Sequence, residues 1–149
     1  MRRILSWNRG LKARLSQTLW VSFGSAVGAC ARWGVSVAQS GGEVATAVPW
    51  GTLGVNVAGS VLIGLYAAMA GPKGPMRGGE AQHLFVMAGF CGGFTTFSLF
   101  SAEVLLLVQA GDAVGAGVLI LVSTVTWLAG AWFGYRSGEH LASRLVTRR

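Results

Sequence analysis

The sequence predicts an all-α membrane protein with four transmembrane helices. Of its 149 residues, 52% are hydrophobic and only 11% are charged, and the mean hydropathy is +0.56. This is too apolar for an ordinary soluble surface. The predicted spans are four apolar runs, residues 18–39, 50–71, 82–108 and 113–135. At a rise of about 1.5 Å per residue, each run is long enough to cross the ~30 Å hydrocarbon core of a bilayer.

The basic residues predict how the chain is oriented in the membrane. Five precede the first span, two lie between the second and third spans, and four follow the fourth, so eleven of the twelve lie on one side. The positive-inside rule then places both termini in the cytoplasm, as expected for a bacterial inner-membrane protein. We therefore predict a basic cytoplasmic segment (1–17), a four-helix transmembrane domain (18–136) and a basic cytoplasmic tail (137–149). The net charge of +7 reflects this orientation, and we expect no nucleic-acid partner.

The first span contains one charged residue, Arg32. A charge near the centre of a transmembrane helix costs about 2.5–3.5 kcal/mol on insertion, and less toward an end. Two interpretations stay open: the side chain snorkels to the outer interface, or it faces a watery vestibule and concentrates anions there. Cys30 and Cys91 also lie in apolar spans, where we expect reduced thiols and no disulfide.

The second span contains a polar pair, Thr52 and Asn56, one helical turn apart. An amide left unpaired in lipid is costly. Because Asn can donate two hydrogen bonds and accept two, Asn56 suits either a contact between helices or the lining of a permeation path. The position of Thr52 on the same face slightly favours a polar stripe.

The third span predicts a broken helix. The stretch AGFCGGFTTFSLFSAE, residues 88–103, has apolar flanks but a middle rich in Gly, Thr and Ser, which weaken a helix. We expect the helical pattern to stop after Gly92-Gly93. Non-helical backbone at membrane depth survives only where it is buried in protein, lines water or coordinates an ion. Phe97 and Phe100, at i and i+3, would share a face, either as core residues or as ring edges that favour an anion.

The first and fourth spans each contain two glycines four residues apart. These are Gly24 and Gly28 in the first span, and Gly130 and Gly134 in the fourth. Such pairs let helices approach closely in lipid, and we interpret them as packing residues. Four helices leave little interior, which favours an oligomer with its working surface between subunits. Histidines near the span ends, His83 and His140, are interpreted as interfacial residues without a metal.

At this point the residues resemble a known family. The stretch GGFTTFSLFS, residues 92–101, resembles the signature G-G-x-T-T-F-S-T-F-S of the CrcB/Fluc fluoride channels. The stretch GACARW, residues 28–33, resembles the family's G-A-x-x-R-[YW], and GTLGVN, residues 51–56, resembles its G-T-L-x-V-N. With four spans in the right order, the resemblance runs from about residue 21 to residue 135.

The resemblance implies an antiparallel dimer with two fluoride pores along the subunit interface. It also implies a central structural Na⁺ that is not transported, held by the backbone carbonyls of Gly92 and Thr95 at the break. Arg32 matches an arginine near the pore entrance. The pore residues that we expect are Phe97, Phe100, Asn56, Thr52 and Ser123. Function would be passive fluoride efflux that protects the cytoplasm, without catalysis.

The chain departs from the family pattern at three positions. Leu99 stands where the family commonly has Thr, and Leu119 and Trp127, one turn either side of Ser123, are apolar where relatives carry hydroxyls. With the uneven charge distribution, this favours a heterodimer with a paralogous subunit over a homodimer. One alternative is therefore a partner subunit that conducts little by itself. A second is a proton-coupled exporter, which needs a membrane carboxylate, and Glu103 is the only acidic residue well inside a span.

Overall fold

A computed structural model of the chain describes residues 2–40, 49–72, 74–76 and 78–147, and within these all regular structure is helical. Helices α1, α2 and α4 are Arg2–Ser40, Pro49–Ala70 and Ala113–Thr147. The third helix has two parts. Its first part, α3a (residues 80–94), comprises α-helical Glu80–His83, π-helical Leu84–Cys91 and α-helical Gly92–Phe94. Its second part, α3b, is Phe97–Gln109.

Three segments of the described chain are long and apolar enough to cross a membrane: Trp50–Ala70, Glu80–Gln109 and Ala113–Leu145. The prediction of a multi-pass, all-α membrane protein is confirmed to that extent. The predicted first span, 18–39, lies within α1 but is not among the three. Its several serines and the charge of Arg32 make it less apolar than the other spans.

The outer helices are longer than the spans predicted within them. Helix α1 begins at Arg2 and α4 continues to Thr147, so neither residue 18 nor residue 136 is the end of a helix. The flanking segments contain Leu, Arg and Ala and no proline, a composition that favours helix. Hydropathy marks where a chain leaves lipid, and a helix does not have to end there.

The helices associate in two parallel pairs, α1 with α3a and α2 with α4. In the first pair, Gly24 approaches Gly89 while Gly28 approaches Phe94, so the contacts advance together along both helices. In the second pair, Val61 approaches Gly134, and further along the two helices Ala68 approaches Gly138.

Contacts between α2 and the third helix run the opposite way. Asn56 pairs with Thr96, whereas Thr52, earlier in α2, pairs with Glu103, later in α3b. Helix α2 is therefore antiparallel to α3a and α3b. The start of α1 and the end of α4 accordingly lie at the same end of the molecule, as four alternating spans require.

Glycines make both helix pairs close, which confirms their interpretation as packing residues. A Cβ added at Gly28 would overlap the carbonyl oxygen of Phe90, and one at Gly134 would overlap that of Val61. The neighbour in each case is backbone, which cannot move aside as the end of a side chain can. Gly117, on the same helix as Gly134, has open space where its Cβ would be.

We expect Gly134→Ala to destabilise the protein and Gly117→Ala to leave it unchanged or slightly more stable. The first change forces α2 and α4 apart, for which overpacking typically costs about 1–3 kcal/mol. The second gains about 0.5–1 kcal/mol from the better helix propensity of Ala. Thermal unfolding of the purified variants in detergent measures both. Equal melting temperatures would show that the close approach at Gly134 does not hold the pair together.

Candidate functional site at the interruption of the third helix

The helical backbone is interrupted at two threonines. Thr95 has φ −81° and ψ 162°, and Thr96 has φ −146° and ψ 121°, so both are extended. The helix ends one residue later than the expected stop after Gly92-Gly93, because both glycines and Phe94 are helical. The β-branched threonines, which favour extended backbone, form the interruption instead. Gly93 serves packing, since a Cβ there would overlap the carbonyl oxygen of Ser25 in α1.

The Asn56 side chain pairs with the backbone freed by the interruption. Its Nδ2 donates to the carbonyl oxygen of Thr96 at 2.9 Å, and its Oδ1 accepts from the Thr96 N–H at 2.7 Å. Asn56 is only 5% exposed. The amide thus replaces, for one residue, the two bonds that a helix would have supplied. The sequence left two roles open for Asn56, a contact between helices and the lining of a path. The structure shows the contact between helices.

Threonine hydroxyls stabilise the backbone on either side of the interruption. Thr96 Oγ1 accepts from the Leu99 N–H at 3.3 Å, which makes Thr96 the N-cap of α3b. Thr95 Oγ1 donates to the carbonyl oxygen of Cys91 at 2.8 Å, closing the last turn of α3a. Each threonine therefore satisfies one helix end, which explains how the chain tolerates an interruption inside an apolar segment.

The same hydrogen bonds deprive two carbonyls of their helical donors. In a continuous α-helix, the Thr96 N–H would donate to Gly92 and the Leu99 N–H to Thr95. These two N–H groups donate instead to Asn56 Oδ1 and Thr96 Oγ1. The carbonyls of Gly92 and Thr95 are the pair named as sodium ligands by the resemblance. Carbonyl oxygens without helical donors have the chemistry that such a hard cation requires.

Two phenylalanines follow the interruption on one face of α3b, as the i, i+3 spacing predicts. The ring centroids of Phe97 and Phe100 are 5.5 Å apart. Phe97 is 71% exposed, whereas Phe100 is 7% exposed and meets Trp127 of α4 edge-on at 5.0 Å. The Phe97 ring is thus free to line a path at the surface, whereas the Phe100 ring is packed between its neighbours.

An open cleft of about 190 Å³ lies beside the interruption. Its lining residues come from α2, the third helix and α4: Asn56, Ser60, Thr95, Thr96, Phe97 and Trp127. The sequence singled out Asn56, Phe97 and, as a departure from the family pattern, Trp127, but it did not single out Ser60, one turn further along α2. Ser60 could have been found from the sequence, because it lies four residues after Asn56 and so continues the polar stripe. In the structure its hydroxyl donates to the Asn56 carbonyl oxygen at 2.8 Å.

The polar stripe of α2 also reaches a buried carboxyl group. Thr52 Oγ1 donates to Glu103 Oε1, and the two residues are 8% and 5% exposed. Glu103 Oε2 is buried with no hydrogen-bond partner among the described residues. Thr52 therefore contacts Glu103 of α3b and is not among the residues that line the cleft.

The remaining predicted residues, Ser123 and Arg32, are not among those that line the cleft. Ser123 is 1% exposed on the inner face of α4, one turn before Trp127. Arg32 is half-buried, and its Nε donates to the carbonyl oxygen of Gly93 at 3.4 Å, close to the interruption. The guanidinium group thus contacts α3a, which neither the snorkelling nor the vestibule interpretation anticipated.

Comparisons with known proteins agree on one family. The sequence pattern of the family described as "CrcB-like protein, Camphor Resistance (CrcB)" matches residues 19–135. The "Fluoride-specific ion channel FluC 1" of Rhodopseudomonas palustris (strain BisB18) is 45% identical over 125 residues, 84% of this chain and 88% of that protein. The "Fluoride-specific ion channel FluC" of Opitutus terrae is 43% identical over 131 residues, 87% of this chain and 97% of that protein. That of Methylocella silvestris is 44% identical over 119 residues, covering 78% and 88%.

We expect Asn56→Leu to lower the melting temperature, because it leaves both backbone groups of Thr96 unpaired in an apolar setting. Each such group costs about 1–3 kcal/mol. Ser60→Ala is the matched control, since its hydroxyl bonds only within α2, and we expect a small effect. Thermal unfolding in detergent compares the two. Wild-type stability of Asn56→Leu would mean that the interruption holds its shape without the amide.

Proposed function

The chain belongs to the CrcB family, and from that membership we propose that it is a fluoride-specific ion channel. It lets fluoride leave the cytoplasm passively, down its electrochemical gradient, and so lowers fluoride toxicity. The observation that carries the proposal is the cleft at the interruption, where the Asn56 amide and the exposed ring of Phe97 lie beside the start of α3b. The family are channels, and the chain is not an enzyme.

The cleft has the chemistry of a path for a small anion. The interruption places the N-terminus of α3b at the cleft, where free N–H groups and the helix dipole favour negative charge. Asn56 Nδ2 has a second hydrogen besides the one given to Thr96. Ring edges carry partial positive charge. These groups attract an anion without holding it as an ammonium or guanidinium would, which suits conduction.

We further propose that the channel is an antiparallel dimer with two pores. Within one subunit the cleft is open, and Phe97 is largely exposed. A second subunit packed against this surface would close the cleft into a path along the interface. Leu99, also exposed, lies on the same part of α3b and would meet the partner.

Sodium is proposed as a structural ion of this dimer. The carbonyls of Gly92 and Thr95 fit such a role, because the N–H groups that would otherwise occupy them donate elsewhere. The proposed ligands are the backbone oxygens that the family resemblance implies; the described parts of the chain hold no group of three or more His, Cys, Asp or Glu that could bind a metal. The ion would join the interrupted helices of two subunits and compensate the concentrated carbonyl dipoles.

The proposed working assembly is a heterodimer with a paralogous subunit of opposite charge bias. In the predicted topology, eleven of the twelve basic residues lie in the flanks of the spans on one side of the membrane. Such a bias fixes one orientation in the membrane, with both termini in the cytoplasm. Copies that insert in one orientation do not supply inverted partners. The proton-coupled exporter is not favoured, because the relatives are channels and Glu103 is engaged by Thr52.

We expect liposomes containing the functional channel to release fluoride without a proton gradient and to exclude chloride. Phe97→Ala and Phe100→Ala should each lower fluoride efflux by about tenfold or more, which corresponds to about 1.4 kcal/mol, because the family resemblance implies that each ring turns an edge toward the ion. Phe133→Ala, at an exposed position of α4, is the control. A fluoride electrode records the efflux. Equal chloride flux would reject the channel proposal, and full flux in either variant would return that ring to simple packing.

We expect C-terminal reporters to show one orientation, with the tail in the cytoplasm. One reporter is active only in the cytoplasm and the other only in the periplasm, so the ratio of their signals gives the population of each orientation. The chain expressed alone should also give little fluoride flux. Comparable signals from both reporters, together with robust flux, would show a dual-topology homodimer and remove the need for a second subunit.

A further inference from the structure

A notch at Gly59 of α2 receives the side chain of Thr95. Gly59 is buried, and a Cβ added there would overlap the Thr95 methyl carbon, Cγ2. Gly59 follows Asn56 by three residues, so the two share a face of the helix. That face of α2 thus contacts both residues of the interruption: Gly59 makes room for Thr95, and Asn56 bonds the backbone of Thr96.

The Thr95 side chain cannot turn out of this notch without losing a hydrogen bond. Its Oγ1 donates to the carbonyl oxygen of Cys91 at 2.8 Å. Because Oγ1 and Cγ2 are both attached to Cβ, the rotamer that places the hydroxyl also fixes the direction of the methyl group. A larger residue at position 59 would therefore either break the bond to Cys91 or push the Thr95 backbone away from α2.

The direction of the Thr95 carbonyl follows from the contacts of its own peptide group. That carbonyl and the Thr96 N–H belong to one planar trans peptide group, so they point in opposite directions. The Thr96 N–H donates to Asn56 Oδ1 at 2.7 Å, and the Thr95 carbonyl oxygen therefore points away from Asn56. Its location depends on how closely the Thr95 backbone approaches α2, which the notch at Gly59 permits.

We propose that Gly59 is a positioning residue for the structural sodium ion, because its notch sets where the Thr95 carbonyl oxygen lies. The inference rests on the proposed function and on its sodium ion. The Thr95 carbonyl lacks its helical donor, since the Leu99 N–H donates to Thr96 Oγ1. A backbone oxygen moves only with its chain, whereas a side-chain ligand can follow an ion by changing rotamer. Displacing Thr95 from α2 therefore weakens sodium binding directly.

The test measures how sodium stabilises the assembled channel against thermal unfolding, with choline replacing sodium at constant ionic strength. An ion that binds only the folded protein stabilises it, so the dependence of the melting temperature on sodium concentration gives a dissociation constant. We expect Gly59→Ala to raise that constant by about tenfold or more, which corresponds to about 1.4 kcal/mol. Gly54→Ala is the matched control on the same helix, where an added Cβ meets open space, and should leave the constant unchanged.

A double variant separates the notch from general packing. Thr95→Ser removes the methyl group and keeps the hydroxyl, so Gly59→Ala combined with Thr95→Ser should bind sodium nearly as Thr95→Ser does alone. This pair also tests the inference if Gly59→Ala by itself does not assemble. Failure of the pair to recover sodium binding would overturn the inference. So would an equal loss of melting temperature in Gly59→Ala with and without sodium, which is what a packing role predicts.

Fluoride efflux from liposomes, recorded on the same preparations, tests the channel function separately. A wild-type assembly that releases fluoride but gains no stability from sodium would overturn both the inference and the sodium proposal, and the channel function would stand. A wild-type assembly that releases no fluoride would reject the proposed function, whatever its response to sodium.

Discussion

The hydrogen bonds between the Asn56 amide and the Thr96 backbone are the interaction on which the rest of the site depends. An extended residue inside an apolar helix exposes an N–H and a carbonyl that lipid cannot satisfy. Asn56 satisfies both from the neighbouring helix. Only with this pairing in place can α3b begin anew at Phe97, present its rings, and leave the carbonyls of Gly92 and Thr95 without helical donors.

The pairing also gives the helix packing a function. Glycines hold α1 against α3a and α2 against α4 at backbone contact. Asn56 lies on α2 and Thr96 on the third helix, so their bonds join the two pairs. A polar contact between two tightly packed units is easier to keep in register than one between loosely packed helices. The close helix packing that stabilises the protein therefore also fixes the geometry of the cleft.

Much of this arrangement was predictable from the sequence, and the exceptions have physical causes. Length and hydropathy indicated the spans, and Gly-Gly and Thr-Thr indicated an interrupted third helix. Both glycines stay helical, and Gly93 packs against the carbonyl oxygen of Ser25 in α1, a contact between residues distant in sequence. The partner of Asn56 was hidden for the same reason. The outer helices extend beyond the predicted spans, because hydropathy reports the solvent around a helix and not its hydrogen bonds.

The π-helical stretch Leu84–Cys91 has a consequence for how the gene can vary. In an α-helix, each step of four residues turns by about 40°, so a contact line made by every fourth residue spirals away from its neighbour. The wider turn of a π-helix brings such residues nearly into line, and Phe85, Gly89 and Gly93 all meet α1. Losing one residue here would rotate everything beyond it by about 100°. The stretch therefore tolerates exchanges of apolar side chains far better than a codon deletion.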